Sequence, residues 1–235
     1  MRFAVQEKIF TDFDVEIGAV VARGVDNAKR VAEVDDLLRV QEENAREAFR
    51  GYESVGQHPK MRSWREAYKK FGSDPHQYRC SSEALVRRVL KGDQVPHINT
   101  LVDLYNYISL KYLIPVGGED LDMIRGEVML SLADGAEPFV RIGGTENEPP
   151  SKGEVVYKDN EGVICRRWNW REAERTKLTI TTKNVLLVAE ALPPVGAGDF
   201  TVAVEECVWL IQKFCGGAVT YALLTKDSPE LALSL

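Results

Sequence analysis

The sequence predicts an α+β fold, because its apolar residues follow a helical spacing in one part of the chain and a strand spacing in another. Up to about Pro115, apolar residues recur every three to four positions. From Gly126 onward they alternate with other residues, as in strands. Residues 185–189 form a short, continuous apolar run, which predicts a strand covered on both faces.

The helical part begins with one strand. In chain order, its spacing predicts a strand over residues 15–21, a helix over 27–49 and shorter helices over 61–71 and 81–92. A fourth helix follows, in which the Thr100 side chain is expected to cap the first turn. Asp103, three residues later, would accept a hydrogen bond from the backbone N–H of Thr100 in return. Pro115 ends this helix, and the helical period stops after the diglycine Gly117–Gly118.

The strand part contains a hairpin signal. Residues 159–162 (DNEG) predict a turn between strands over 155–157 and 163–165. Further strands are expected over 128–132, 178–180 and 185–189, followed by a last helix over 200–215 and a last strand over 218–224.

Composition restricts the class of protein. With 235 residues, 44% hydrophobic and 28% charged, the chain can bury a core and is typical of a globular protein. No apolar run is long enough for a membrane span and the start lacks a signal-peptide pattern, so we expect a cytoplasmic protein without membrane contact. Four cysteines and three histidines are scattered, so no metal site is expected. Nucleotide-loop and serine-elbow motifs are absent, and no cofactor is predicted.

The net charge of −6 argues against wrapping by nucleic acid, but its distribution is uneven. Residues 51–91 carry nine basic and four acidic side chains, and residues 166–183 carry six and two. If folding brings these two segments together, one face of an acidic protein could meet a polyanion. The alternative is that the charges only solvate the surface.

Three groups of residues could carry function. Asp103, Asn106 and Tyr107 share one face of the fourth helix, either as an N-terminal acid with two exposed polar residues or as part of a site. The two diglycines, Gly117–Gly118 and Gly143–Gly144, let backbone N–H groups approach a ligand, although turn geometry explains them equally well.

The third group is the segment RRWNWR at residues 166–171. On a strand, Arg166, Trp168 and Trp170 would share one side, and Arg167 and Asn169 the other. Arginine beside tryptophan suits a phosphate, a carboxylate or a stacked base. The alternative is a core tryptophan pair flanked by ion pairs to acidic neighbours.

Several motifs together resemble a known family. LVDLYNYISLKYLIPVGGEDLDMIRGEV (101–128), IGGTE (142–146) and TTKNVLLVAE (181–190) resemble the editing module of the bacterial phenylalanyl-tRNA synthetase beta subunit, its third and fourth domains. The segments at 58–72, 81–92 and 165–176 resemble a free-standing branch of that family. The resemblance covers about residues 55–225 of a predicted single domain, 1–235, with residues 1–54 as an N-terminal strand and helix.

The resemblance implies a β-sandwich of unusual topology flanked by helices. It also implies hydrolysis, in trans, of tyrosine wrongly esterified to the phenylalanine tRNA, with aminoacylated tRNA as the partner. A stand-alone copy lacks the aminoacylation domain, so it is not expected to be a ligase. The oligomeric state is not predicted. By this resemblance, the catalytic residues are Asn106, Gly117, Gly118 and Glu190, and the binding residues are Asp103, Gly143, Gly144, Arg166, Arg167, Trp168, Trp170 and Arg175.

This chain departs from the family pattern at two positions. Gly117 stands where the synthetase module often has histidine, so catalysis would use ordered water and backbone donors. Val188 stands where a glutamate reads the tyrosine hydroxyl, and Glu190, on the same strand face, is expected to replace it. Arg166 and Arg167 are expected to stabilise the oxyanion. The alternative function is a protein that binds an amino acid or a tRNA end without chemistry.

Overall fold

The structure is a computed structural model that describes residues 1–233, and it confirms the α+β prediction. The helices within this range are α1 Glu7–Asp12, α2 Ala32–Ala48, α3 Pro59–Lys70, α4 Ser81–Leu90, α5 Thr100–Tyr112 and α6 Ala197–Phe214. The strands are β1 Arg2–Val5, β2 Glu16–Arg23, β3 Val116–Asp120, β4 Val128–Leu132, β5 Val155–Lys158, β6 Val163–Arg166, β7 Arg171–Glu172, β8 Asn184–Ala191, β9 Ala218–Leu224 and β10 Glu230–Ala232.

The strands form two sheets. One has six strands in the order β10-β1-β4-β5-β6-β7, in which only the β1–β4 pair is parallel among the described residues. The other has four antiparallel strands in the order β3-β8-β2-β9. No helix within residues 1–233 is long and apolar enough to cross a bilayer.

Strand β8 lies in the interior of the four-stranded sheet and is buried on both faces, as its apolar run predicts. Helix α6 packs on one face, where a Cβ atom on Gly18 of β2 would lie 2.5 Å from Val204 Cγ2. Glycine is therefore needed for this close approach of helix to strand. The other face of β8 contributes to a cavity between the two sheets.

Helices α3 and α4 pack beside the end of β6, which confirms that the two basic segments meet in space. The rings of Trp64 and Trp168 lie edge to face, with their centroids 5.1 Å apart. Tyr68 donates a hydrogen bond to Asn169 Oδ1 at 2.9 Å, and the backbone N–H of Ser81 donates to the carbonyl of Asn169. The surface of α3 exposes further basic side chains, among them Arg62, Lys69 and Lys70.

Several local predictions are wrong. Helix α2 begins at Ala32, not near Asn27, and Asn99, not Thr100, caps α5 by accepting a bond from the N–H of Val102. Residues 178–180 form no strand, whereas β1, α1 and β10 were not predicted. The diglycine Gly117–Gly118 lies inside β3 and does not form a bend.

The segment at residues 166–171 is a turn and not a continuous strand. Strand β6 ends at Arg166, and Arg167 and Trp168 take left-handed conformations with φ of 46° and 66°. The chain then reverses into β7, which pairs with β6. The predicted alternation of side chains along this segment is therefore wrong, and each side chain has its own environment.

Candidate functional site

A cavity lies between the two sheets, beside the edge strand β3. Its own free volume is only about 30 Å³, and the mouth around it, which includes open solvent, brings the empty space to about 360 Å³. The four-stranded sheet and the six-stranded sheet with its β6–β7 turn both contribute to its wall. The lining residues are Gly117, Gly118, Glu119, Val128, Tyr157, Cys165, Trp168, Asn169, Glu172, Leu186, Val188 and Glu190.

Strand alternation explains why β3 and β8 supply these residues. Gly117 is paired with Val188, and Glu119 with Leu186, so all four lie on one face of the sheet. Glu190, two residues beyond Val188, lies on the same face and also lines the cavity. The expectation that Glu190 shares a strand face with Val188 is confirmed.

Glu190 is buried and is held by neutral donors. Trp168 Nε1 donates to its Oε1 at 2.5 Å, and Asn169 Nδ2 donates to its Oε2 at 2.7 Å. The hydroxyl of Tyr157 donates to Oε1 as well. Burial raises the pKa of Glu190 to about 7, although these three hydrogen bonds act to lower it. A carboxylate has about four acceptor positions, so one remains for a ligand.

Two further glutamates of the cavity were not predicted. Glu119 of β3 is 7% exposed, and its Oε2 is buried without a hydrogen-bond partner. Glu172 of β7 is partly exposed, but its Oε2 is also buried and unpartnered. Burial raises the pKa of both carboxyl groups, and the neighbouring Glu172 raises that of Glu119 further. The pair therefore retains a proton more strongly than isolated carboxyl groups would.

The glycines of β3 lie directly against the side chains of these neighbours, which would have to shift if residue 117 or 118 carried a Cβ atom. A Cβ atom on Gly117 would lie 2.7 Å from Glu172 Oε1, so the Glu172 carboxylate occupies the space next to residue 117. A Cβ atom on Gly118 would lie 2.2 Å from Leu187 Cδ2. Asp120 directs its N–H away from β8, to the carbonyl of Thr176. By alternation, the N–H of Gly118 points to the same side.

A family model for the B3/4 domain matches residues 63–216, more than half of the chain. The chain belongs to the B3/4 domain family. The matched range contains the whole lining of the cavity.

Solved structures similar to this B3/4 domain protein include an N-terminal fragment of the phenylalanyl-tRNA synthetase beta subunit from Pyrococcus horikoshii. The two chains are 14% identical and superpose with a TM-score of 0.49. The match covers 94% of this chain and 53% of that chain, so this protein spans about half the length of the fragment. A likeness at this level carries no conclusion about activity. A comparison with curated proteins finds no match.

The cavity of the B3/4 domain contains four of the residues expected from the sequence: Gly117, Gly118, Trp168 and Glu190. Trp168 is fully buried because the left-handed turn directs its indole inward. The structure does not bring the other expected residues to this cavity; they are Asp103, Asn106, Gly143, Gly144, Arg166, Arg167, Trp170 and Arg175.

The two turn arginines correct the expected placement. Arg166 is buried and donates from Nε and Nη2 to the two carboxylate oxygens of Glu154, both at 2.9 Å. The guanidinium carbon of Arg167 lies 3.6 Å from the ring centre of Tyr78 and 4.6 Å from that of Trp170. Neither arginine lines the cavity, so neither is placed to stabilise an oxyanion there.

The remaining residues also have other contacts. Arg175 forms two hydrogen bonds to Asp159, at 2.7 and 2.9 Å, and the N–H of Gly143 donates to Glu174. Gly143 and Gly144 thus belong to a turn, as their alternative interpretation proposes. Asn106 is half-buried on α5.

Asp103 is buried in a separate group. His97 Nδ1 lies 2.5 Å from Asp103 Oδ2, and together with Asp35 these residues place three ligand atoms within 4.8 Å of one another. Arg30 Nε donates to Asp35 at 2.7 Å. Both carboxylates thus already have partners in this group.

Proposed function

We propose that this B3/4 domain protein hydrolyses, in trans, the ester bond of a misacylated aminoacyl-tRNA. The single observation that carries the proposal is the cavity between the sheets, where carboxylates and a free backbone donor surround a partly enclosed space. The earlier resemblance suggests tyrosine on the phenylalanine tRNA as the substrate.

The cavity residues support a water-based mechanism. A water molecule attacks the carbonyl carbon of the ester while Glu172, next to Gly117, accepts its proton. The N–H of Gly118 stabilises the oxyanion that forms on the carbonyl oxygen. The carbon–oxygen bond to the ribose then breaks, and the ribose oxygen takes the proton from Glu172. The products are a free amino acid and the tRNA hydroxyl.

Glu190 would select the amino acid, and the basic surface of α3 would attract the tRNA. The free acceptor position of Glu190 can receive the hydroxyl of a tyrosine side chain, which phenylalanine lacks. Helix α3, whose buried Trp64 packs on Trp168, carries exposed basic residues on its solvent side. These cations favour approach of the tRNA backbone, and the binding should weaken steeply with salt.

The test is a deacylation assay with a panel of misacylated tRNAs. We expect tyrosine to be released from the phenylalanine tRNA faster than correctly attached phenylalanine. The variant Glu172→Gln should lose the release while it retains tRNA binding, and Glu146→Gln, at an exposed loop position away from α3, is the matched control. If no tRNA of the panel is deacylated, hydrolysis is refuted; binding without release would instead support a non-catalytic binding protein.

A further inference from the structure

We propose that Glu119, with Glu172 beside it, binds a primary ammonium group, so the ligands of this cavity are amino acid esters or amides with a free α-amino group. This inference deepens the proposed deacylation, on which the identity of the ester rests. The recognition of the ammonium group itself can be tested without any hydrolysis.

The first argument is the unmet hydrogen-bonding capacity of two carboxyl groups. Buried carboxylates in folded proteins are normally paired or hydrogen-bonded, because an unpaired buried charge is costly. Glu119 Oε2 and Glu172 Oε2 are both buried without a donor, and both side chains line the cavity. A ligand that brings several donors to this position would remove the cost.

The second argument is the sign of the charge that is missing. Among the described residues, those lining the cavity include three glutamates but no lysine, arginine or histidine. Glu190 already accepts bonds from three neutral donors. Glu119 and Glu172 instead share a hydrogen bond with each other, and their neutral hydrogen-bonding neighbours are the Thr176 hydroxyl and the Cys165 thiol. A primary ammonium has one positive charge and three N–H donors, so it matches two adjacent carboxylates.

In the described part of the chain, no positively charged side chain near Glu119 is free to pair with it, so the cation would have to come from the ligand. Arg175, the basic residue that favours its ionised form, is held by Asp159. The other titratable groups that face the pair are acidic or neutral at physiological pH: Glu190 on β8, Tyr157 on β5, Cys165 on β6 and Tyr105 on α5. The described protein therefore contains no free cation at the pair.

The placement also agrees with the chemistry of an aminoacyl ester. In such an ester the α-nitrogen is separated from the carbonyl carbon only by the α-carbon. An ammonium bound by Glu119 therefore brings the carbonyl close to Glu172 and Gly118, which lie next to Glu119 in the cavity wall. Recognition of the ammonium would orient the ester for attack.

Calorimetric titration of the full protein with L-amino acid amides tests the proposal. Tyrosinamide and phenylalaninamide are the first probes, and their N-acetyl derivatives and desaminotyrosinamide are the matched controls. We expect the free amine to bind at least about tenfold more tightly than the blocked or missing amine. Because the ammonium replaces a retained proton, binding should strengthen and release protons as the pH rises from about 5 to about 7, and it should weaken again above about pH 7.7, where the α-amino group of the ligand loses its own proton.

The variant Glu119→Gln should weaken amide binding about tenfold without lowering the thermal midpoint, while Glu66→Gln should change neither. The proposal is overturned if no amide binds at millimolar concentration, if acetylation leaves the affinity unchanged, or if Glu119→Gln binds like the parent. Amide binding that persists while every misacylated tRNA stays intact would refute the hydrolysis alone.

Discussion

Two buried glutamates, Glu154 and Glu119, differ in what surrounds them. Glu154 accepts two bonds from the Arg166 guanidinium, both at 2.9 Å, and one from the backbone N–H of Arg167 at 3.0 Å. Burial alone would raise its pKa, but the two arginines outweigh burial and lower it. Glu119 has no such partner for its buried Oε2, and its pKa is raised.

The difference separates a structural carboxylate from one that is available to a ligand. The ion pair of Glu154 joins the start of β5 to the left-handed turn at Arg167, and this turn directs Trp168 into the cavity. The ion pair between Glu154 and Arg166 therefore contributes to the stability of the fold and leaves Glu154 with little capacity to bind a ligand. The carboxyl group of Glu119 retains its capacity to bind, because its hydrogen-bonding neighbours are the Glu172 carboxyl group and the Thr176 hydroxyl and not an arginine, and its Oε2 makes no hydrogen bond of normal geometry within residues 1–233.

The largest effect is expected from Arg166→Ala. This change removes both guanidinium bonds to Glu154 and leaves it with two backbone N–H groups and the Arg167 guanidinium 3.9 Å away, so the free energy of unfolding should fall by about 3 kcal/mol. Urea unfolding measures it. Arg171→Ala, at an exposed arginine nearby, is the control and should stay within about 0.5 kcal/mol of the parent. A loss below about 1 kcal/mol for Arg166→Ala would show that the ion pair does not hold the turn.

An intermediate effect is expected from Glu190→Gln, because Glu190 is held by neutral donors instead of arginine. The new amide N–H groups would face either Asn169 Nδ2 or the Trp168 indole N–H, so at least one donor loses its acceptor. We expect a loss of about 1–3 kcal/mol in the free energy of unfolding. The proton resonance of the Trp168 indole should also shift, and an unchanged resonance would contradict the hydrogen bond.

The same comparison shows what the sequence can and cannot predict. Periodicity is local, so it predicts β8 and the β5–β6 hairpin, and it places Glu190 on the strand face of Val188. The turn has left-handed conformations at Arg167 and Trp168, two residue types that rarely adopt them. Because neither of these two positions holds a glycine or an asparagine, the sequence does not indicate the turn. A strand was predicted there for this reason.

Contacts between distant segments could not be predicted from spacing. Glu119 and Glu172 lie on strands of different sheets, and only the packing of the sheets brings them to one cavity. From the sequence, Glu172 was only one of the acidic neighbours expected to form ion pairs around a core tryptophan pair. One signal in the sequence could have indicated Glu119 as a cavity residue. Strand alternation puts Glu119, two residues after Gly117, on the same face of the strand as Gly117.

The effect that is smallest per pH unit distinguishes the two glutamates by the pH dependence of their contribution to stability. The raised pKa of Glu119 means that its contribution to stability is fully present below the unfolded value, about 4.3, and is lost as the pH rises through the folded value. The lowered pKa of Glu154 acts in the opposite direction, since its contribution is lost as the pH falls through the folded value. Glu119→Gln removes the first dependence and keeps the second.

The stability of Glu119→Gln relative to the parent should therefore increase with pH, by at most about 1.4 kcal/mol per pH unit. Urea unfolding from about pH 5 to about pH 8 measures the difference, with Glu66→Gln as the control that should remain parallel to the parent. If the Glu119→Gln curve also remains parallel, Glu119 titrates normally in the folded protein. The buried carboxyl group would then have a partner, and the contrast with Glu154 would disappear.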